Sequence, residues 1–160
     1  GLLLYYIGRE LDAIHREGVR LKILGDHKAF KPDVVKKIDE ALERTAGNGR
    51  MVLAVALNYG SHSELTSAAR QIAGRVEAGE IRAADVDEAM VEASLDTAGL
   101  PPLDLLIRTS GEQRLSNFLL WQAAYAELLF VDTLWPDFDG DALREALADY
   151  VGRERRFGGR

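Results

Sequence analysis

The chain contains no cysteine, which removes disulfides and thiolate metal sites and leaves the redox compartment open. It also lacks any apolar run approaching the ~18 residues that a membrane-crossing helix needs. The apolar opening Leu2-Leu3-Leu4-Tyr5-Tyr6-Ile7 has neither the basic start nor the cleavage site of a signal peptide. Histidine is scarce, and His15, His27 and His62 are scattered without metal-ligand spacing, so they read as surface or turn residues. Positive charge is in deficit. With 20 Lys and Arg against 26 Asp and Glu the net charge is −6, and the pI is near 5.1. General nucleic-acid binding needs a basic surface to displace counterions, so this balance argues against it. Internal repeats, linkers and low-complexity segments are also missing.

At 160 residues, 47% hydrophobic and 29% charged, the chain suits one soluble globular domain with a real core. The first residue is Gly1, and no N-cap residue precedes the helical periodicity that starts at Leu2. A chain whose beginning is missing is therefore expected. Residues 2–17 read as a helix with Leu4, Ile7, Leu11 and Ile14 on one face and Gly18 as its stop. Residues 19–24 alternate apolar and basic, as a strand. Pro32 and Asp33 open a second helix that runs to about Thr45. The unbroken apolar run 51–57 suits a strand covered on both faces. Ser61-His62-Ser63-Glu64 reads as a capping box opening a helix to about Ala78. A short helix over 84–95, a strand over 103–107, a helix over 117–125, a strand near 128–131 and a final helix from about 140 to 154 complete the order. Strand and helix alternate, which predicts an α/β fold with a mainly parallel central sheet flanked by helices.

Basic residues concentrate in two places. Arg153, Arg155, Arg156 and Arg160 crowd the C-terminus, while Arg108 and Arg114 lie in Arg108-Thr109-Ser110-Gly111-Glu112-Gln113-Arg114-Leu115-Ser116-Asn117-Phe118. The latter segment follows an apolar strand, and ligands of open α/β sheets sit beyond the carboxyl ends of strands. Arginine presents a planar fork of donors that fits phosphate oxygens, the hydroxyls add donors, and glycine lets backbone approach. The segment reads as an anion site, most naturally for a phosphate or diphosphate; the competing reading is a surface loop with incidental charge.

Glu127 sits in the apolar setting Ala126-Glu127-Leu128-Leu129-Phe130. It is a candidate for Mg²⁺, which takes one or two carboxylates plus phosphate oxygens; the alternative is a carboxylate paired with a nearby arginine. Arg156-Phe157-Gly158 is either a second phosphate clamp or a helix end fraying into solvent. Asn58 ends a strand on the presumed ligand side, where it positions a substrate group or caps a turn. Asp26 reads as structural, in a turn with His27. Trp121, Trp135, Tyr125 and Phe138, with the strand faces Leu21/Ile23 and Met51/Leu53/Val55, are either core or the lining of a long apolar cavity.

The run from Asp104 to Gln122 closely resembles the hallmark region of cis-prenyltransferases, nearest to the bacterial undecaprenyl diphosphate synthases (isoprenyl transferases). So do Tyr125-Ala126-Glu127-Leu128, Leu134-Trp135-Pro136-Asp137-Phe138, Leu24-Gly25-Asp26, Asn58-Tyr59-Gly60 and Arg155-Arg156-Phe157-Gly158-Gly159. The resemblance covers nearly the whole chain, in order. It implies that residues 1–160 are a single cis-prenyltransferase domain with an apolar tunnel, condensing isopentenyl diphosphate with an allylic diphosphate such as farnesyl diphosphate. The product would be a long-chain polyprenyl diphosphate, a lipid carrier for cell-wall synthesis. Arg108, Arg114 and Ser116 would hold isopentenyl diphosphate, and Arg156 and Gly158 would reach that site in the partner subunit of a homodimer. Asn58 and Glu112 would serve catalysis, and Glu127 would bind Mg²⁺. The expected location is cytoplasmic, with peripheral contact at the membrane through the lipid product.

Two departures from the family pattern stand out. The family's N-terminal Asp-Gly-Asn-Gly-Arg-type loop and its later Ser-x-Glu-Asn segment have no counterpart here, so this chain alone is expected to be inactive. Ser61-His62 also stands where Gly-Arg is usual. The alternatives are a non-catalytic subunit that binds isopentenyl diphosphate, or an unrelated phosphate-binding α/β module.

Overall fold

In a computed structural model, residues 2–153 are described, the first seven of them as backbone only. Residues 1–98 and 99–160 form two compact units.

In the first unit, helix α1 (Leu2–Arg16) ends where Gly18 takes φ +70°, a left-handed stop that favours glycine. Strand β1 (Val19–Leu24) follows, then α2 (Pro32–Thr45), begun by a proline that has no amide to waste in the first turn. Strand β2 (Met51–Ala56) pairs parallel with β1, Val19 opposite Met51 and Leu24 opposite Ala56. Helix α3 (Ser61–Glu77) leads to the short α4 (Glu88–Ala93), capped by the Asp87 side chain, which accepts the Met90 N–H. Both α1 and α2 pack on β1. Leu24, Ile38, Ala41, Ala68, Ile72 and Leu95 are buried in this unit.

Thr45 is wholly buried there as well, and its hydroxyl is fully used. It donates to the Ala41 carbonyl at 2.9 Å and accepts the Leu21 N–H at 3.1 Å, tying α2 to β1. Two expectations fail in this unit. β2 is not covered on both faces: Met51 is 53% and Leu53 38% exposed, because the helices lean on β1 instead. The residue flanking α3 is Gly60, and Ser61 is already helical, so the expected capping box does not form. Glu64 turns inward instead.

In the second unit, β3 (Leu105–Arg108) pairs parallel with β4 (Glu127–Phe130), and α5 (Gly140–Gly152) packs on β4. The Asp139 side chain caps α5 by accepting the Asp141 and Ala142 amides. Leu106, Leu129 and Ala146 are buried. The helix expected over 117–125 is absent. Ser116, Asn117 and Leu119 have φ of +50°, +62° and +48°, which a right-handed helix cannot contain, and only a 3₁₀ turn at Gln122–Tyr125 remains. Trp135, 72% exposed and stacked on Phe138 with ring centroids 6.4 Å apart, is not core; neither is Tyr125 at 85% exposed. Both strand pairs are parallel, as the alternation of elements predicts. No described helix is long and apolar enough to cross a membrane.

Candidate functional site

Arg108 is the last residue of β3, and the chain turns there against the segment that follows β4. The Val131 N–H donates to the Arg108 carbonyl, the Gly111 N–H to Val131 and the Ser110 N–H to Thr133, each at 2.9 Å. Ser110 and Gly111 both have φ +68°. Glycine suits the left-handed φ at position 111, where a Cβ would start 3.2 Å from the movable Asp132 Oδ1. Non-glycine residues in the left-handed region cost about 1–3 kcal/mol each unless their surroundings enforce the geometry. Ser110, Ser116, Asn117 and Leu119 all carry that strain, so the loop is held in a specific shape rather than left loose.

The loop's charges are arranged unequally. Arg114 forms an ion pair with Glu112. Arg108 is half-buried, and its guanidinium makes no hydrogen bond or ion pair with the described residues. A half-buried guanidinium with no anion among the described residues has given up part of its hydration without a charged partner there, so it invites a phosphate. Ser116 is exposed on the same loop. The expected cluster of two arginines and a hydroxyl therefore lies on one loop at a strand's carboxyl end, with Glu112 engaged by Arg114.

Glu127 stands elsewhere. It opens β4, in register with Leu105, so Arg108 is three residues farther along the pair, about 10 Å away by strand rise. Its Oε2 accepts from Arg153 at 3.2 Å, and Arg153 also binds Asp149 at 2.6 Å and the Leu128 carbonyl at 3.0 Å. These carboxylates hold the guanidinium proton more firmly, Asp149 first and Glu127 second. The arginine-paired alternative for Glu127 is thus realised within the chain. Its Oε1 makes no hydrogen bond with the described residues, and no group of three metal-ligating side chains occurs among them. One hard carboxylate oxygen fits the small share that Mg²⁺ takes from protein when diphosphate oxygens and water supply the rest. Arg156 and Gly158 lie outside the described residues.

In the first unit, Asn58 lies in the turn two residues beyond β2, with φ +49°, and is exposed. Its Nδ2 donates to the Asp26 carbonyl at 3.2 Å, and its own carbonyl accepts the Asp26 N–H at 3.3 Å. Gly25, at φ +93°, permits this closure: a Cβ there would sit 2.5 Å from the Leu57 carbonyl and 2.8 Å from Tyr59 Cα. Asp26 takes part through its backbone, which agrees with a structural role. His27 is paired with Asp39 at 3.1 Å, as a turn residue would be.

Sequence reasoning missed the carboxylates beneath this turn. Glu64 is 6% exposed and accepts from the Tyr59 hydroxyl at 2.6 Å and the Asp96 N–H at 2.9 Å. The Asp96 carboxylate accepts the Gly25 N–H at 2.7 Å. Nothing in local periodicity marks either residue, since Glu64 mimics a cap and Asp96 lies in a loop more than thirty residues away.

Residues 2–158 match the family profile of undecaprenyl diphosphate synthase. An isoprenyl transferase of Caulobacter vibrioides is 50% identical over 99% of this chain, which corresponds to 61% of that protein. A ditrans,polycis-undecaprenyl-diphosphate synthase of Haemophilus ducreyi, described as specific for (2E,6E)-farnesyl diphosphate, is 49% identical over 99% of this chain and 65% of its own. This chain thus spans less than two thirds of the length of these relatives. Lavandulyl diphosphate synthase from Lavandula x intermedia, solved with dimethylallyl diphosphate, superposes with a TM-score of 0.94 at 35% identity, covering 98% of this chain and 68% of that one.

Proposed function

Because the chain belongs to the undecaprenyl diphosphate synthase family, we propose that residues 1–160 are a cis-prenyltransferase domain and that the Arg108–Ser116 loop holds the diphosphate of isopentenyl diphosphate. The observation that carries this reading is Arg108, half-buried at the carboxyl end of β3 with no anion among the described residues. Arg114 would move from Glu112 to the incoming diphosphate, and the Ser116 hydroxyl would donate a further hydrogen bond. Arg156 and Gly158 would complete the clamp from the partner of a homodimer. The second substrate is an allylic diphosphate; farnesyl diphosphate is the choice named for the Haemophilus relative.

In the reaction, the bond between the allylic carbon and its diphosphate oxygen breaks. The isopentenyl double bond attacks that carbon, and a proton leaves the isopentenyl unit. Each cycle lengthens the chain by one isoprene unit. Fixing isopentenyl diphosphate by its charged end turns an encounter of two solutes into a reaction between held groups, where orientation supplies much of the rate. Glu112, released as Arg114 shifts, stands beside the clamp as an acceptor for that proton or for a water that relays it. Asn58 would orient substrate through the part of its amide not spent on Asp26. Mg²⁺, with Glu127 as a protein ligand, would offset the charge that builds on the departing diphosphate. The product would be a polyprenyl carrier lipid for cell-wall synthesis, made in the cytoplasm by a protein in peripheral contact with the membrane.

The test is equilibrium binding of radiolabelled isopentenyl diphosphate. Arg114→Ala is expected to weaken it by roughly 10–100-fold, the range for losing a charged hydrogen bond. Unchanged affinity would refute the clamp.

A further inference from the structure

A polar relay ties the two turns at the carboxyl ends of β1 and β2. The Tyr59 hydroxyl donates to Glu64 Oε2 at 2.6 Å, the Asp96 N–H donates to Glu64 Oε1 at 2.9 Å, and the Gly25 N–H donates to Asp96 Oδ2 at 2.7 Å. Ser61 Oγ, wholly buried, lies 3.3 Å from the same Tyr59 hydroxyl. The relay joins three stretches that are distant in sequence, and Asn58 stands at its outer edge.

Asn58 needs such support. Its φ of +49° lies in the left-handed region, which asparagine enters more readily than most residues, so the direction of its side chain depends on what the surroundings enforce. The enforcement comes from the Gly25-Asp26 turn, to which Asn58 is bonded twice. That turn is in turn gripped by the Asp96 carboxylate. The Asn58 side chain can make four hydrogen bonds and spends one donor on Asp26. Its carbonyl oxygen and second N–H remain for a ligand, in a direction set by the turn.

We infer that Asp96 is a positioning residue for Asn58, acting through the Gly25 amide and the Asp26 turn, with Glu64 holding the Asp96 backbone from below. The inference rests on the reading that Asn58 serves the diphosphate reaction, but the relay can be judged without it. The readout is the Asn58 side-chain amide pair in ¹⁵N–¹H NMR spectra of the whole chain, free and titrated with isopentenyl diphosphate. In Asp96→Ala these resonances should shift away from their wild-type positions, and isopentenyl diphosphate affinity should fall about tenfold. Asp96→Asn, which keeps a carbonyl acceptor for the Gly25 N–H, should return both toward wild type; a merely stabilising role would lower thermal stability without this pattern.

Asn58 resonances that stay in place in Asp96→Ala would overturn the inference. So would displaced resonances with affinity unchanged. Should Asp96→Ala not fold, Asp96→Glu, one methylene longer, must still push the Gly25 turn and move the Asn58 signals. Wild-type protein that binds no isopentenyl diphosphate would remove the functional reading and leave the Asn58 shift to decide the relay.

Discussion

At the scale of single residues, the molecule separates polar groups that hold the fold from polar groups held ready. Thr45 belongs to the first kind. Both its bonds are made inside the protein, to the Ala41 carbonyl and from the Leu21 N–H. Thr45→Val keeps the shape but strands the Leu21 donor, at an expected cost of about 1–3 kcal/mol in urea unfolding. Arg108 belongs to the second kind. Arg108→Ala should leave the thermal midpoint nearly unchanged, because no described partner loses a bond, while reducing isopentenyl diphosphate affinity at least tenfold. Arg108→Lys should recover little of it, since an ammonium cannot grip phosphate with two parallel donors. A thermal midpoint that dropped along with affinity would place Arg108 in the fold instead. The arginine segment was legible in the sequence because a phosphate clamp needs particular residue types close together. Glu64 and Asp96 were not, because their meaning lies in contacts that cross more than thirty residues.

At the scale of elements, the turns after β1 and β2 depend on backbone closeness that only glycine allows. Gly25→Ala would drive a methyl into the Leu57 carbonyl and Tyr59 and force a β-carbon onto φ +93°. It should cost about 3 kcal/mol or more. Gly47→Ala, with open space around it, should be neutral or slightly stabilising; equal losses in thermal denaturation would contradict this account. The turn before α2 carries an electrostatic contact instead. Lys28, and after it His27, hydrogen-bonds Asp39 and holds its carboxyl below the ordinary 3.8. A depressed carboxylate adds stability above its unfolded pKa and loses it as pH falls through the folded value. The pair is exposed, so salt screens it. In Lys28→Ala the Asp39 NMR titration midpoint should rise toward 3.8. The helices and strands with clean periodicity were legible from sequence, α2, α3 and α5 among them. The helix expected after Arg114 was not formed, because Ser116, Asn117 and Leu119 adopt left-handed backbone that composition does not announce. The coverage of β2 was not legible, since an unbroken apolar run does not distinguish a doubly covered strand from one that leaves Met51 and Leu53 open.

At the scale of the whole molecule, an acidic chain of net charge −6 is proposed to take up an anionic substrate. Its general field opposes the ligand, so local donors must do the binding. The family relation carries the assignment across the chain, while the account of this chain's own action comes down to whether its arginine loop takes a diphosphate. The most direct measurement is calorimetric titration of the chain with isopentenyl diphosphate, wild type against the Arg108→Ala, Arg114→Ala double variant, with isopentenol as the uncharged control. One saturable site per chain is expected in wild type, no measurable binding by the double variant, and none of isopentenol by either. Wild-type protein that takes up no isopentenyl diphosphate, or a double variant that binds it as tightly as wild type, would contradict it.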